Sequence, residues 1–143
     1  MQLLWQSTYT LEQIHRVAAF ILELAAEKKV FLLEAPLGGG KTTLIRSLIE
    51  ELEGEELSKH VSSPTFTIVQ VYTGKENYYH IDAYRLQSSE EILYLGIDEY
   101  LDGESFCFIE WPHLVLPFIK VPYIFIELEH LDWQQRLIKI FKS

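Results

Sequence analysis

Hydrophobic positions recur at helical spacing soon after the chain begins. Leu11, Ile14, Ala18, Ile21, Leu22 and Ala25 fall on one face, which predicts an amphipathic helix. Thr10 and Gln13 have the spacing of a capping box, so the helix is expected to start there. The preceding "QLLW" reads as a short strand. "KVFLLE" is a continuous apolar run of strand length, the pattern of a strand covered on both faces. Helical spacing returns with Leu44, Ile45, Leu48 and Leu52. The next segments change rhythm. "TFTIVQVY" and "YYHIDAYRL" are rich in β-branched and aromatic residues and are separated by the turn "TGKEN". "SSEEILYLG" predicts a short helix, with Ser88 and Glu91 as a capping box and Gly96 as its stop. "IDEYLDG" adds a helical turn. "FCFIEWP" is an apolar strand that ends in an acid and is closed by Pro112. "VPYIFIELE" and "QQRLIKIF" read as two final strands joined by "HLDW". Early β-α-β order followed by a hairpin-rich remainder points to one α/β domain over residues 1–143, with a mixed sheet.

Composition narrows the function classes. A hydrophobic fraction of 48% and a charged fraction of 23% are ordinary for a globular domain. The formal net charge is -9, a balance that nucleic-acid phosphates repel, so autonomous nucleic-acid binding is not expected. Part of that acid lies in "EELEGEELSKH", read as a solvated helix end and loop. The single cysteine, Cys107, lies in an apolar run and reads as a small buried side chain. The N-terminus has no basic n-region, and no apolar stretch is long enough to span a bilayer. The expectation is a cytoplasmic protein with no membrane partner.

The chemistry concentrates in "APLGGGKT", Ala35 to Thr42, between the apolar strand and the second helix. The general phosphate-loop pattern is G-x-x-x-x-G-K-[ST]. Consecutive backbone N–H groups must converge on one anion, which requires unusual backbone angles and hence glycine. The helix that follows turns its positive end toward the phosphates. Gly38, Gly39, Gly40, Lys41, Thr42 and Thr43 meet these demands. Lys41 would reach the β- and γ-phosphates, and the Thr42 hydroxyl would bind Mg²⁺. Ala35 stands where the pattern has its first glycine, and Pro36 follows. Both precede the N–H donors of the second half, so nucleotide binding is expected to survive the change.

Hydrolysis needs more than a phosphate loop. Glu110 ends the strand "FCFIE", and ligands gather at the carboxyl ends of parallel strands, so its carboxylate could reach Mg²⁺. Asp82 would share a strand face with Tyr78, His80 and Tyr84, an unusual place for an acid without a role. His80 could bridge Asp82 or a phosphate, or serve as a hydrogen-bonded structural histidine. "SSPTFT", Ser62 to Thr67, could sense a γ-phosphate or simply begin a strand.

In series, "APLGGGKTT", "VSSPTFTIV", "HIDAYRL", "LGIDEYL" and "IEWP" resemble the bacterial tRNA threonylcarbamoyladenosine biosynthesis ATPases, the TsaE (YjeE) family. The resemblance runs from about Thr10 to Arg136. It implies a P-loop NTPase-like α/β fold: a mixed, mostly parallel central sheet flanked by helices, with antiparallel hairpins. It implies an enzyme that binds and hydrolyses ATP with Mg²⁺ and supports turnover of its partners TsaD and TsaB. TsaD transfers the threonylcarbamoyl group to N6 of adenosine 37, and tRNA is met only indirectly. By position, Thr42 and Glu110 would hold Mg²⁺. Asp82 would orient water or complete the metal shell, while Thr65 and Thr67 would lie in a switch-like segment. Thr10 and Arg136 would lie near the nucleotide, and Trp111 would flank the site or pack in the core. The departures from the family pattern are Ala35, Pro36 and Gly39. A small nucleotide or metabolite kinase is the alternative enzyme, although the four arginines form no clustered lid. A GTP-dependent switch would carry an Asn-Lys-x-Asp segment, which the chain lacks.

Overall fold

The computed structural model describes residues 1–36, 38, 40–62 and 67–143. The strands are β1 (Gln2–Thr10), β2 (Val30–Glu34), β3 (Val69–Thr73), β4 (Asn77–Asp82), β5 (Phe106–Glu110), β6 (Tyr123–His130) and β7 (Gln135–Lys142). The α-helices are α1 (Ile14–Ala25), α2 (Lys41–Glu53), α3 (Glu55–Ser58) and α4 (Ser89–Tyr94). All seven strands form one sheet in the order β1-β7-β6-β2-β5-β4-β3. The four central strands β6, β2, β5 and β4 are parallel, and the flanking pairs are antiparallel. This is the α/β architecture expected from the sequence, with the hairpins at the sheet's two sides.

Alternation within β2 explains why an unbroken apolar run was needed. Phe31 and Leu33 enter a core shared with Ile14, Val17 and Ile21 of α1 and Leu44, Ile45 and Leu48 of α2. Val30 and Leu32 enter a second core on the other face, with Ile92 of α4 and with Ile97, Leu101 and Val115. Stacked aromatics extend the first core across strands: Phe31 lies 5.4 Å from Phe108, and Tyr78 lies 5.6 Å from Phe106. Cys107 is fully buried in the second core, as its apolar context predicted. Among the described residues, no helix is long and apolar enough to cross a membrane.

Several local expectations shift. The first strand continues to Thr10, because its polar residues pair along β7 at the sheet edge. A 3₁₀ turn, Leu11–Gln13, precedes α1, and the Thr10 N–H donates to Gln13 Oε1 at 3.0 Å. At α4 the Glu91 carboxylate accepts from the Gln87 N–H at 2.9 Å, one residue earlier than the capping box requires. Glu53, in the acidic stretch, accepts from the Lys75 N–H at 2.7 Å and the Tyr78 hydroxyl at 3.0 Å, pinning the β3–β4 turn to α2. β4 stops at Asp82, so Tyr84 leaves the strand and does not share its face with Tyr78, His80 and Asp82.

Candidate active site

The loop from β2 to α2 places the site at the carboxyl ends of the parallel strands, where an α/β sheet opens its ligand crevice. Gly38 has φ +74° and Gly40, the residue before α2, has φ +95°. These left-handed angles are readily adopted by glycine, and they turn the chain into the helix with its first N–H groups facing the crevice. A cleft of about 350 Å³ is lined by Gly38, Gly40, Lys41, Thr42, Thr43, Asp82, Glu110 and Arg136, together with Tyr84 and Trp111. Eight residues expected to bind nucleotide or metal therefore meet at one place, and Trp111 flanks them. Gly39 and Thr65 lie outside the described residues. Thr67 is described, ahead of β3 and exposed.

Asp82 and Glu110 are register partners on β4 and β5, so the two carboxylates stand side by side at the strand ends. Burial raises the Asp82 pKa; its bond from the Tyr84 N–H, 3.1 Å long, opposes the rise and the Glu110 charge adds to it. Glu110 is almost wholly buried, and its Oε2 lies 2.6 Å from Nε2 of the fully buried His80. His80 thus bridges neither Asp82 nor the loop; its partner is the acid on the next strand. His80 Nδ1 in turn lies 3.0 Å from the Tyr72 hydroxyl.

Lys41 is folded back. Its Nζ donates to the Ala35 carbonyl at 3.0 Å and lies 3.8 Å from the centroid of the Trp111 ring. Desolvation lowers its pKa, opposed by the charges of Glu110, Asp82 and Glu34. The Trp111 ring is half-buried and forms a wall of the cleft, with Tyr84 against it at 4.9 Å. Its φ of +57° aims the side chain out of the line of β5.

Thr10 does not line this cleft. It lines an adjoining cavity of about 470 Å³ with Leu11, Glu12, Trp133, Gln134 and Arg136. Arg136 borders both spaces, so it joins Thr10 to the phosphate loop. Trp133 lies in the β6–β7 turn "HLDW", and its side chain is exposed there. Its aromatic character in a polar turn was the available signal. A further acid was also missed: Glu34, at the end of β2, bonds His113 Nε2 at 2.6 Å.

The three oxygen donors Thr42, Asp82 and Glu110 suit a hard cation such as Mg²⁺, which takes one or two carboxylates and completes its shell with phosphates and water. Among the described residues there is no cluster of three His, Cys, Asp or Glu side chains able to hold a metal alone.

The chain matches the family "Threonylcarbamoyl adenosine biosynthesis protein TsaE" over residues 8–138. It is 36% identical to the tRNA threonylcarbamoyladenosine biosynthesis protein TsaE of Rickettsia felis over 92% of this chain and 76% of that protein. The protein of the same name from Bacillus subtilis is 38% identical over 80% of this chain and 69% of its own length. The crystal structure of Bacillus subtilis YdiB superposes with a TM-score of 0.67 at 26% identity, covering 100% of this chain and 88% of that one.

Proposed function

Because the chain belongs to the TsaE family of tRNA threonylcarbamoyladenosine biosynthesis, we propose that it is that pathway's ATP-binding and ATP-hydrolysing subunit. In this reading it supports turnover of the TsaD–TsaB pair and leaves threonylcarbamoyl transfer to TsaD. The observation that carries the reading is the single cleft in which a glycine-bent helix start faces two adjacent strand-end carboxylates. The negative net charge fits a protein that reaches tRNA only through its partners.

The residues divide the work. Backbone N–H groups at Gly38, Gly40 and the first turn of α2 hold phosphate oxygens. Lys41 leaves the Ala35 carbonyl and the Trp111 face to meet the β- and γ-phosphates. Thr42, Glu110 and Asp82 would hold Mg²⁺, which neutralises phosphate charge when bound. From its place in that shell beside Glu110, Asp82 also orients the attacking water. Arg136, between the loop and the Thr10 cavity, contacts the nucleotide on its outer side. Among the described residues it is the only arginine lining the cleft, so the kinase alternative gains no support from a clustered lid.

The test is ATP turnover with and without TsaD and TsaB, with GTP as competitor. The reading expects slow turnover alone, stimulation by the pair and preference for ATP. Strong preference for GTP, or stoichiometric transfer of phosphoryl to a small acceptor, would replace it with the switch or the kinase.

A further inference from the structure

The carboxylate of Glu110 is held from behind by a buried polar chain that the proposed chemistry does not use. His80 Nε2 stands 2.6 Å from Glu110 Oε2, and both side chains are almost completely withdrawn from water. A carboxylate can only accept, so Nε2 carries the hydrogen and Nδ1 is left to the Tyr72 hydroxyl at 3.0 Å. Tyr72 is itself buried, on the neighbouring strand β3, and its single hydroxyl hydrogen is shared between His80 Nδ1 and Gln70 Oε1, the latter 2.5 Å away. These groups cross three adjacent strands: β5 supplies the acid, β4 the imidazole and β3 the phenol.

Such burial demands partners, because a buried polar group without one gives up its hydrogen bonds to water and gains none in return. Packing alone would be met more simply by apolar side chains, as it is at the neighbouring Phe106 and Phe108. The chain of bonds does something packing does not. It occupies one carboxylate oxygen and fixes the rotation of the group, so that Oε1 is the oxygen left for the cleft.

We propose that His80 is a positioning residue for Glu110, oriented in turn by Tyr72, and that the pair sets the affinity of the nucleotide site for its divalent cation. The inference rests on the ATPase reading, in which the cation accompanies the nucleotide's phosphates. Removing an outer partner of a metal ligand typically costs 10–100-fold in metal affinity. Removing Tyr72's hydroxyl loosens the imidazole without freeing the carboxylate, so its effect is smaller.

The experiment measures Mn²⁺ binding by electron paramagnetic resonance in the presence of ADP, and ADP binding by calorimetry in EDTA, on the full chain. His80→Phe should weaken Mn²⁺ by about 10–100-fold while metal-free ADP binding stays at the wild-type value. His80→Gln keeps an N–H donor and should recover most of the loss. Tyr72→Phe keeps the ring and its packing and should weaken Mn²⁺ several-fold, which covers the case in which His80→Phe does not fold. Folded His80→Phe with wild-type Mn²⁺ affinity overturns the inference, as does Tyr72→Phe with no change. Equal loss of metal-free ADP binding in all variants also overturns it, because the effect is then structural. Wild-type protein that fails to bind ADP in EDTA or with metal overturns the ATPase reading itself and takes this inference with it.

Discussion

Replacing Gly38 or Gly40 by alanine separates two costs that the phosphate loop combines. Both glycines have positive φ, so either alanine meets backbone strain of about 1–2 kcal/mol. The alanine also restricts the unfolded chain, which returns about 0.4–1 kcal/mol. The net loss for Gly38→Ala is about 1 kcal/mol, since a Cβ there meets nothing within 4 Å. That corresponds to a fall in Tm of roughly 3 °C for a domain of this size. At Gly40 a Cβ would lie 3.1 Å from Arg136 Nε and 3.5 Å from its Cδ. The guanidinium must then move, which adds a coupling of about 1 kcal/mol, so Gly40→Ala should lower Tm by roughly 6 °C. Calorimetric melting of both single variants, of Arg136→Ala and of the Gly40→Ala/Arg136→Ala double variant checks the arithmetic. The cycle should show a coupling of about 1 kcal/mol that vanishes for Gly38→Ala with Arg136→Ala. Additivity at Gly40, or a Gly40→Ala variant as stable as wild type, would refute the close approach of Arg136 to the loop.

Three further outcomes follow from the site. Asp82 has a raised pKa, so the folded state binds its proton more tightly than the unfolded chain, and this contribution is lost as pH rises through the folded pKa. Asp82→Asn should therefore raise Tm at neutral pH, with the gain shrinking as pH falls through the raised folded pKa and gone below about pH 4, while ATP turnover falls; no Tm gain at neutral pH would contradict the burial. Trp111 should report nucleotide binding, because Lys41 leaves its ring: the fluorescence change on adding ADP should be lost in Trp111→Phe while Trp5 and Trp133 remain. Cys107 is fully buried, and burial pushes its thiol pKa up, so a thiol reagent should label it only after unfolding by guanidinium.

Much of this could be read from the chain because its signals are local. The unbroken apolar run of β2 sets a strand buried on both faces, and the glycines mark the bend into α2. Glu110 could be nominated as a strand-end acid and Asp82 as an acid on an aromatic strand face, and the parallel register makes them neighbours. What could not be read depends on contacts between distant segments. Nothing in "YYHIDAYRL" says that His80 reaches across to Glu110, 30 positions on. The end of β4 at Asp82 comes from its own side chain accepting the Tyr84 N–H, which turns the chain and removes Tyr84 from the strand face. Lys41 matched the motif, but its resting place on Ala35 and Trp111 required both ends of the cleft to be in place. Thr10 and Trp133 come together because β1 pairs with β7.

The most direct test is reconstitution of threonylcarbamoyladenosine formation on tRNA with TsaD and TsaB, followed over several turnovers. Wild-type chain with ATP should sustain repeated cycles, and Lys41→Ala, although folded, should leave the reaction at the level of TsaD and TsaB alone. If Lys41→Ala sustains turnover as well as wild type, or if the reaction is indifferent to the chain, ATP at this cleft does not drive the cycle.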